Sequence, residues 1–168
     1  MIVTNLSVRP GEAGDLPALT ALYNHYVEHT HVTFDTLPFT VDQRRAWLSH
    51  YGSTGRHRLL VAVADDELVG YATSGRFRDK AAYDTSVETT VYVRDGAAGR
   101  GVGGALYTAL FAALEGEDVH RAYAGIALPN AASMALHRRF GFAEAGTYRE
   151  VGRKLGRYWD VAWLEKGL

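Results

Sequence analysis

A glutamate stands inside a run of β-branched residues near the middle of the chain. From Ser86 to Val93 the pattern is that of a strand, and its alternation puts Glu88 and Tyr92 on the same face. An ionisable side chain at such a place needs a partner or water, because burying a lone charge is costly. Glu88 is therefore a candidate general base that removes a proton from a bound molecule. Alternation alone also allows it to be the solvent-facing residue of an amphipathic strand.

A dense run of glycines follows this strand and precedes a helical pattern. It reads Gly99-Arg100-Gly101-Val102-Gly103-Gly104. At a junction between a strand and a helix, free backbone N–H groups and the positive end of the helix converge, and glycine lets a ligand come close. The run therefore predicts a phosphate-binding site. An ordinary flexible connection is the plainer interpretation.

The same run matches two nucleotide motifs in part. Gly99, Gly101 and Gly104 have the spacing of the dinucleotide motif, which would indicate an NAD-binding protein. In that motif the glycines follow the strand closely, and an acidic residue at the end of the next strand binds the ribose. Here five residues separate Val93 from Gly99, and the next strand ends at Ala127-Leu128-Pro129. No Lys-Ser or Lys-Thr follows the last glycine, so the nucleotide P-loop pattern also fails.

Three other groups of polar residues could do chemistry. The segment from His25 to His29 spells H-x-x-E-H, the pattern of a zinc peptidase, but a metal site would need a further carboxylate on a second helix, and we expect no metal. His137 lies in a helical segment, where a lone histidine is often a surface residue stacked on a neighbour. Arg78 and Lys80 could bind an anion or belong to a solvated loop.

Apolar periodicity alternates between helical and strand patterns along the chain, which is typical of an α/β (α+β) fold. Strands are predicted at 7–9, 58–64, 68–77, 86–93, 121–127, 143–148 and 158–164, and helices after Asp15, after Thr40, at 105–114 and at 131–140. Asp15 is placed to cap the first helix, and Thr40 with Gln43 forms a capping box for the second. Gly141 ends the last helix.

Composition narrows the class of protein. With 168 residues, 47% of them hydrophobic, the chain is expected to form one domain, 1–168, with a substantial core. A net charge of -1 gives no general reason to bind nucleic acid or an anionic membrane. The absence of cysteine excludes disulfides and an acyl-cysteine intermediate. Residues 1–5 lack a basic segment followed by an apolar run, and no stretch approaches the roughly 18 apolar residues of a membrane span, so we expect a soluble cytoplasmic protein.

The glycine run and the segments around it resemble the GNAT superfamily of N-acetyltransferases. That superfamily carries Q/R-x-x-G-x-G/A at a strand-to-helix junction, and residues 98–103 align with it, with Ala98 in place of the usual glutamine or arginine. Nearly the whole chain is similar to the phosphinothricin and methionine sulfone acetyltransferase group. The likeness is carried by Leu22-Tyr23-Asn24-His25-Tyr26-Val27, Thr33-Phe34-Asp35, Ala82-Tyr83, Val87-Glu88-Thr89-Thr90-Val91-Tyr92-Val93, Leu128-Pro129-Asn130, Leu136-His137, Gly141-Phe142 and Gly152-Arg153-Lys154.

This resemblance implies a fold and an activity. The fold is a twisted mixed sheet of six to seven strands flanked by about four helices, in which the strands bearing Tyr92 and Gly125 splay apart to admit the thioester arm of acetyl-CoA. The activity is transfer of an acetyl group from acetyl-CoA to a small amino-acid-like amine of the phosphinothricin, methionine sulfone or methionine sulfoximine type. The resembling enzymes are homodimers, so a homodimer is expected. A catalytically silent CoA-binding module on the same fold is the alternative.

The resemblance also implies roles for particular residues. Glu88 matches the catalytic glutamate, and His137 occupies the position of the group that protonates the departing thiolate. The acetyl-CoA site is expected to use backbone groups of Val91, Tyr92 and Val93, the loop residues Gly99, Arg100, Gly101, Val102, Gly103 and Gly104, and the side chain of Asn130. The acceptor pocket is expected to use Phe34, Arg78, Lys80 and Tyr83. The group more commonly has arginine where Lys80 stands, and lysine offers a point charge rather than a planar pair of donors.

Overall fold

The computed structural model describes residues 5–168, which form seven strands, four α-helices and two short 3-10 turns. The strands are β1 (Ser7–Pro10), β2 (Arg58–Ala64), β3 (Glu67–Arg76), β4 (Ser86–Val93), β5 (Arg121–Ala127), β6 (Ala143–Lys154) and β7 (Arg157–Gly167). The helices are α1 (Leu16–His29), α2 (Val41–Leu48), α3 (Val102–Leu114) and α4 (Ala131–Arg139), and the 3-10 turns are Ala13–Asp15 and Ala81–Tyr83. The predicted mixed α/β architecture is confirmed.

One mixed sheet contains these strands in the order β1-β2-β3-β4-β5-β7-β6. Strands β4 and β5 run parallel, and the other neighbouring pairs are antiparallel. The parallel pairing runs from Ser86 opposite Arg121 to Glu88 opposite Tyr123. Both strands continue beyond that point, to Val93 and Ala127, so the sheet opens between them. This opening is the predicted splay.

Alternation along the strands builds a core on each face of the sheet. On β2, Leu60 and Ala62 pack on the face covered by α3, where Leu106 is fully buried. Their neighbour Val61 lies on the opposite face, with Leu19 of α1. Each such aliphatic side chain contributes about 1.5–3 kcal/mol when fully buried. The two cores hold β4, the strand of Glu88, between helices on both sides.

Two helix starts show what local sequence determines. The capping box of α2 is confirmed, because the backbone N–H of Gln43 donates to Thr40 Oγ1 at 3.2 Å and that of Thr40 donates to Gln43 Oε1 at 2.8 Å. The prediction that the Asp15 side chain caps α1 is wrong. Its carboxylate instead accepts from the guanidinium of Arg9 at 2.7 Å and from the backbone N–H of Glu12 at 2.9 Å. The guanidinium of Arg9 and the backbone N–H of Glu12, at the start of the 3-10 turn, therefore occupy both carboxylate oxygens of Asp15.

Some element boundaries differ from prediction. Helix α3 starts at Val102 rather than near residue 105, so part of the glycine run forms its first turn. Strands β6 and β7 are both longer than predicted: β6 continues past an irregularity between Tyr148 and Gly152, and β7 spans Arg157–Gly167. Within residues 5–168, no helix is long and apolar enough to cross a membrane. The expectation of a soluble cytoplasmic protein also used the sequence of residues 1–5. Of these, residues 1–4 lie outside the described residues.

Candidate active site

A cavity of about 460 Å³, here called the first cavity, opens where β4 and β5 separate. Its walls are the two splayed strands, the glycine loop with the start of α3, and α4. The predicted cofactor residues that line it are Val91, Tyr92, Val93, Gly99, Gly101, Val102, Gly103, Gly104 and Asn130. Arg100 is not among the lining residues, whereas Arg139 of α4 is.

The glycine loop presents free backbone donors to the first cavity. Gly99 and Gly101 have positive φ angles of 76° and 84°, which glycine adopts without strain. Gly101 is the N-cap of α3, and the first helical bond runs from the Ala105 N–H to the Gly101 carbonyl at 2.9 Å. The N–H groups from Val102 to Gly104 thus precede that bond and lack helical acceptors. Together with the helix dipole they form a site suited to an anion.

Two arginines lie near this loop. Arg139 Nη1 would be 3.6 Å from a Cβ built on Gly104, which places its guanidinium against the loop. Arg100 Nη1 is buried and has no hydrogen-bond partner within residues 5–168. An unpaired guanidinium nitrogen is costly to bury, so Arg100 favours an anionic ligand nearby, and Arg139 adds positive charge at the loop.

The two edges of the opened sheet differ in character. On β4, the Tyr26 hydroxyl donates to the carbonyl of Val93 and fixes that end of the strand. On β5, Gly125 is exposed, and a Cβ built there would lie 3.1 Å from the ring of Trp163. The absence of a side chain keeps backbone accessible across the gap. An extended ligand can therefore lie along both edges in the manner of an added strand.

Helix α4 positions Asn130 and His137 on the cavity wall. Asn130 is the N-cap, and its Oδ1 accepts from the backbone N–H of Ser133 at 3.1 Å. His137 is 3% exposed, so the alternative of a surface histidine is wrong. Its Nε2 lies 2.8 Å from the hydroxyl of Tyr107, and its Nδ1 lies 2.7 Å from the backbone carbonyl of Ser133. Burial lowers the pKa of His137, partly offset by the bond to Ser133.

A second cavity of about 420 Å³ lies on the α1 and α2 side of β4. Glu88, Thr90 and Tyr92 line it, and Thr90 and Tyr92 also line the first cavity. Glu88 is half-buried; burial raises the pKa of its carboxyl, and the charge of Arg78 partly opposes that rise. A carboxylate with these surroundings binds a proton more readily than an exposed glutamate does.

The four predicted acceptor residues lie around this site rather than inside the second cavity. The Arg78 guanidinium sits 4.4 Å from the centre of the Phe77 ring, near enough to Glu88 to act on its pKa. The ring of Tyr83 meets Phe77 edge-on at 5.9 Å. Lys80 is exposed on the same loop. None of Phe34, Arg78, Lys80 and Tyr83 is among the residues that line the second cavity.

Phe34 is held by the β6–β7 hairpin. A Cβ built on Gly152 would lie 2.2 Å from the Phe34 ring, so only glycine fits there. Beside it, the buried Lys154 ammonium donates to the carbonyl of Thr33 at 2.7 Å. The hydroxyl of Tyr23 bonds to Thr33 Oγ1 at 2.8 Å and donates to Asp35, which lines the second cavity. These contacts fix the segment after α1 at the edge of the site.

Sequence reasoning missed a buried cation in the second cavity. Arg44 of α2 is 5% exposed, with its guanidinium 3.7 Å from the centre of the Trp47 ring and 4.6 Å from that of Tyr23. Nε and Nη2 of Arg44 have no hydrogen-bond partner among residues 5–168. Its position three residues before Trp47, on one helical face, was the available signal.

The two histidines of the H-x-x-E-H segment contact Asp95 and each other. His25 Nε2 pairs with the carboxylate of Asp95 at 2.8 Å, and the rings of His25 and His29 lie 5.1 Å apart. In the described part of the chain, no three His, Asp or Glu side chains are grouped to hold a metal ion.

Comparison with known proteins places this geometry in a family. The acetyltransferase (GNAT) domain model matches residues 9–163. A phosphinothricin N-acetyltransferase of Streptomyces coelicolor is 61% identical, over 97% of this chain and 96% of that protein. An L-methionine sulfoximine/L-methionine sulfone acetyltransferase of Pseudomonas paraeruginosa is 35% identical, over 96% and 94%. The crystal structure of a GNAT superfamily phosphinothricin acetyltransferase from Sinorhizobium meliloti, in complex with acetyl-CoA, superposes with a TM-score of 0.92 at 28% identity, over 98% and 89%.

Proposed function

Because this chain belongs to the GNAT family and is an acetyl-CoA-dependent acetyltransferase, we propose that it acetylates the primary amine of a small amino-acid-like acceptor such as phosphinothricin, methionine sulfone or methionine sulfoximine. One observation carries the proposal beyond the family. The first and second cavities meet at β4, where Thr90 and Tyr92 line both and Glu88 faces the second. A thioester in the first cavity and an amine in the second would come together across this strand.

The first cavity is the proposed acetyl-CoA site. Its loop N–H groups, from Gly99 to Gly104, are suited to the pyrophosphate, with positive charge from Arg139 at the loop and from Arg100 nearby. Backbone groups of Val91, Tyr92 and Val93 would hold the pantetheine arm along the open edge of β4. Asn130 lines the same wall. No metal is needed for this chemistry.

The proposed reaction is direct transfer. Glu88, itself or through a water, takes a proton from the acceptor ammonium, and the free amine attacks the thioester carbonyl. A backbone N–H of the β4 edge would stabilise the resulting oxyanion. As the carbon–sulfur bond breaks, the nitrogen releases its second proton and the thiolate of CoA takes one up; His137 is the proposed donor to the thiolate, and the proton released by the nitrogen restores its ring. Both ring nitrogens of His137 are engaged, so donation requires one of those hydrogen bonds to open.

Acceptor recognition is proposed to involve charge. Arg78 and Lys80 lie on the loop after β3, and Arg78 acts electrostatically on Glu88. A carboxylate or phosphinate on the acceptor would be attracted there, with the exposed rings of Phe34 and Tyr83 as proposed apolar contacts outside the second cavity. The buried Arg44 adds positive charge beside the second cavity. An amino acid with an anionic group matches this distribution better than a simple alkyl amine.

A panel of amines tests the proposed acceptor class. We expect thiol release from acetyl-CoA, together with the acetylated amine by mass spectrometry, for phosphinothricin, methionine sulfone and methionine sulfoximine. The amide of methionine sulfone, which keeps the amine but lacks the carboxylate, should react with a kcat/KM at least about tenfold lower, the equivalent of roughly 1.4 kcal/mol. Equal rates for the acid and the amide would show that the acceptor carboxylate is not recognised. No reaction with any of these amines would favour a CoA-binding module without catalysis.

Three broader expectations stay proposals. We propose one catalytic domain over 1–168, a cytoplasmic location, and a homodimer. The homodimer is supported by large apolar side chains left exposed on β6, the edge of the sheet, and on the turn and start of β7: Tyr148, Val151, Leu155 and Tyr158. Such a surface fits a second copy of the chain, and sedimentation equilibrium would show a dimer.

A further inference from the structure

The guanidinium of Arg44 lies in a stack of aromatic rings at the second cavity. Its central carbon is 3.7 Å from the centre of the Trp47 ring, 4.6 Å from that of Tyr23 and 5.9 Å from that of Phe39. Cation–π attraction of this kind is weaker than the cost of burying an unpaired charge. The rings therefore fix the position of the cation without neutralising it.

Arg44 lacks a countercharge in the described part of the chain. It is 5% exposed, and its Nε and Nη2 have no hydrogen-bond partner within residues 5–168. Asp35 and Glu88 are the carboxylates that line the second cavity, and among these residues neither forms an ion pair with Arg44. Burial raises the pKa of Tyr71, and the nearby charge of Arg44 partly opposes that rise, so this tyrosine offers a hydroxyl but no countercharge. A ligand that brings an anion into the cavity would supply the missing partner.

Arg44 and Glu88 lie toward opposite ends of the second cavity. Glu88 and Tyr92 are four residues apart on β4, which is about 13 Å along a strand. The ring of Tyr23, on which Arg44 stacks, meets the ring of Tyr92 edge-on at 5.4 Å. Arg44 is therefore toward the Tyr92 end, and an acceptor whose amine faces Glu88 can extend its side chain toward Arg44.

We propose that Arg44 determines specificity for the far end of the acceptor: its guanidinium binds a phosphinate, sulfone or sulfoximine oxygen at the end of the acceptor side chain. The inference rests on the proposed function for the amine at Glu88. The acceptor carboxylate, which is next to the amine, is left to Arg78, whose charge acts on Glu88. Arg76, which also lines the cavity, is already paired with Asp84 at 3.7 Å.

The proposed acceptors share the spacing that this site requires. In phosphinothricin and in methionine sulfone, two methylene groups separate the α-carbon from the phosphorus or sulfur atom that carries the oxygens. One cation at a fixed distance from Glu88 can therefore bind both. The phosphinate is charged and forms an ion pair with Arg44, whereas the neutral sulfone accepts a hydrogen bond only.

Three acceptors with the same amine and carboxylate test the assignment: phosphinothricin, methionine sulfone, and norleucine, which has no side-chain oxygen. Arg44→Met should lower kcat/KM at least about tenfold more for phosphinothricin than for norleucine, with methionine sulfone between them. Arg45→Gln is the matched control, because Arg45 is the next residue of α2, is exposed and pairs with Asp42 at 2.9 Å. It should leave the order and the rates unchanged. A uniform loss for all three acceptors in Arg44→Met would indicate a structural role and overturn the proposal.

Folding of the variant is expected and can be measured. Methionine keeps apolar contact with the rings and removes an unpaired buried charge, so the melting temperature of Arg44→Met should be no lower than that of the parent. Arg44→Lys keeps a charge in the stack and serves if the methionine variant does not fold. A point charge replaces the planar pair of donors, so kcat/KM should fall about threefold to tenfold more for phosphinothricin than for norleucine. No difference between the two acceptors would refute the role of Arg44.

Binding separates this inference from the proposed function. Calorimetry with phosphinothricin on enzyme loaded with CoA, which has no acetyl group to transfer, measures the acceptor site alone. Kd should rise at least about tenfold in Arg44→Met and stay near parental in Arg45→Gln. No binding to the parent, or equal Kd in a folded Arg44→Met, would overturn the inference. Binding that depends on Arg44, without thiol release from any amine of the panel, would sustain it and count against the proposed function alone.

Discussion

At the scale of single residues, Glu88 is defined by its surroundings more than by its type. It is half-buried on a strand whose other side chains are apolar or hydroxylic, and burial raises the pKa of its carboxyl. Arg78 opposes that rise without cancelling it. The result is a carboxyl that lines the second cavity and binds a proton more readily than an exposed glutamate does.

Replacing Glu88 with glutamine tests its role as the base. Glu88→Gln keeps the shape but cannot accept the proton, so kcat should fall by about 100-fold to 10,000-fold with little change in acetyl-CoA affinity. In the parent enzyme the rate should rise with pH through an ionisation above the usual range of a glutamate, coupled to that of the acceptor ammonium, because the pKa of Glu88 is raised. Initial rates across pH measure both. The variant should lose or displace that limb, and near-parental turnover with an unchanged limb would assign the proton to another group.

Stability supplies the control for this substitution. A carboxyl whose pKa is raised on folding contributes stability below its unfolded pKa and loses that contribution as the pH rises through the folded value. Glutamine has no such loss, so Glu88→Gln should melt at a higher temperature than the parent near neutral pH, and the difference should shrink in acid. Glu28→Gln, on an exposed glutamate of α1, should change neither melting temperature nor turnover. A variant less stable at every pH would indicate a structural role for Glu88.

The residues found from sequence were those with a local signature. Glu88 was conspicuous inside its strand, and the glycines in their run. Arg44 and Arg139 were not, because their significance comes from contacts with aromatic rings of two helices and with Gly104 at the loop.

At the scale of elements, the start of α3 carries the proposed pyrophosphate site. Gly101 and Gly96 have nearly the same positive φ, 84° and 83°, and a Cβ at either meets nothing within 4 Å. Gly101 lines the first cavity and Gly96 does not. Substitutions at these two positions can therefore distinguish the effect of backbone strain from the effect of ligand contact.

Aspartate at these two glycines tests the loop. Both Gly101→Asp and Gly96→Asp place a residue that tolerates positive φ, so the cost to folding should be similar. Only Gly101→Asp brings a negative charge to the proposed pyrophosphate site, and CoA affinity by calorimetry should fall at least about tenfold there, the equivalent of roughly 1.4 kcal/mol, and stay near parental for Gly96→Asp. Equal losses in both would mean that strain alone weakens the loop, and no loss in Gly101→Asp would move the pyrophosphate elsewhere.

Element boundaries were predictable where one physical signal dominated. The capping box of α2 was read correctly because its two partners lie three residues apart. Helix α3 began earlier than predicted because glycines that discourage a helix interior are accepted in its first turn, where Gly103 also packs closely against Leu136. The end of β6 was missed because Glu150 adopts a positive φ of 51° inside it, held by a bond of its N–H to Asp160 at 2.7 Å. Contacts of this kind come from the neighbouring strand and leave no mark on the local sequence.

At the scale of the whole molecule, the opening of the sheet creates the first cavity, where we propose that acetyl-CoA binds. The parallel pairing of β4 and β5 stops at Glu88, and beyond it β4 lines the first cavity, while Glu88, Thr90 and Tyr92 line the second. The predicted splay followed from family resemblance, since no single residue in either strand encodes it. Two ligands bound on the two sides of one strand would need no covalent intermediate, and the chain contains no cysteine to carry one.

The most direct test of transfer across β4 is whether both substrates must be bound at the same time. If the acetyl group passes straight across β4, both substrates must be bound together, so initial rates over a matrix of acetyl-CoA and phosphinothricin concentrations should give intersecting double-reciprocal lines. Enzyme mixed with acetyl-CoA alone should show no acetylated form by intact-mass spectrometry. Parallel lines, together with an acetylated enzyme that passes its acetyl group to added phosphinothricin, would contradict direct transfer and with it the function assigned to the two joined cavities.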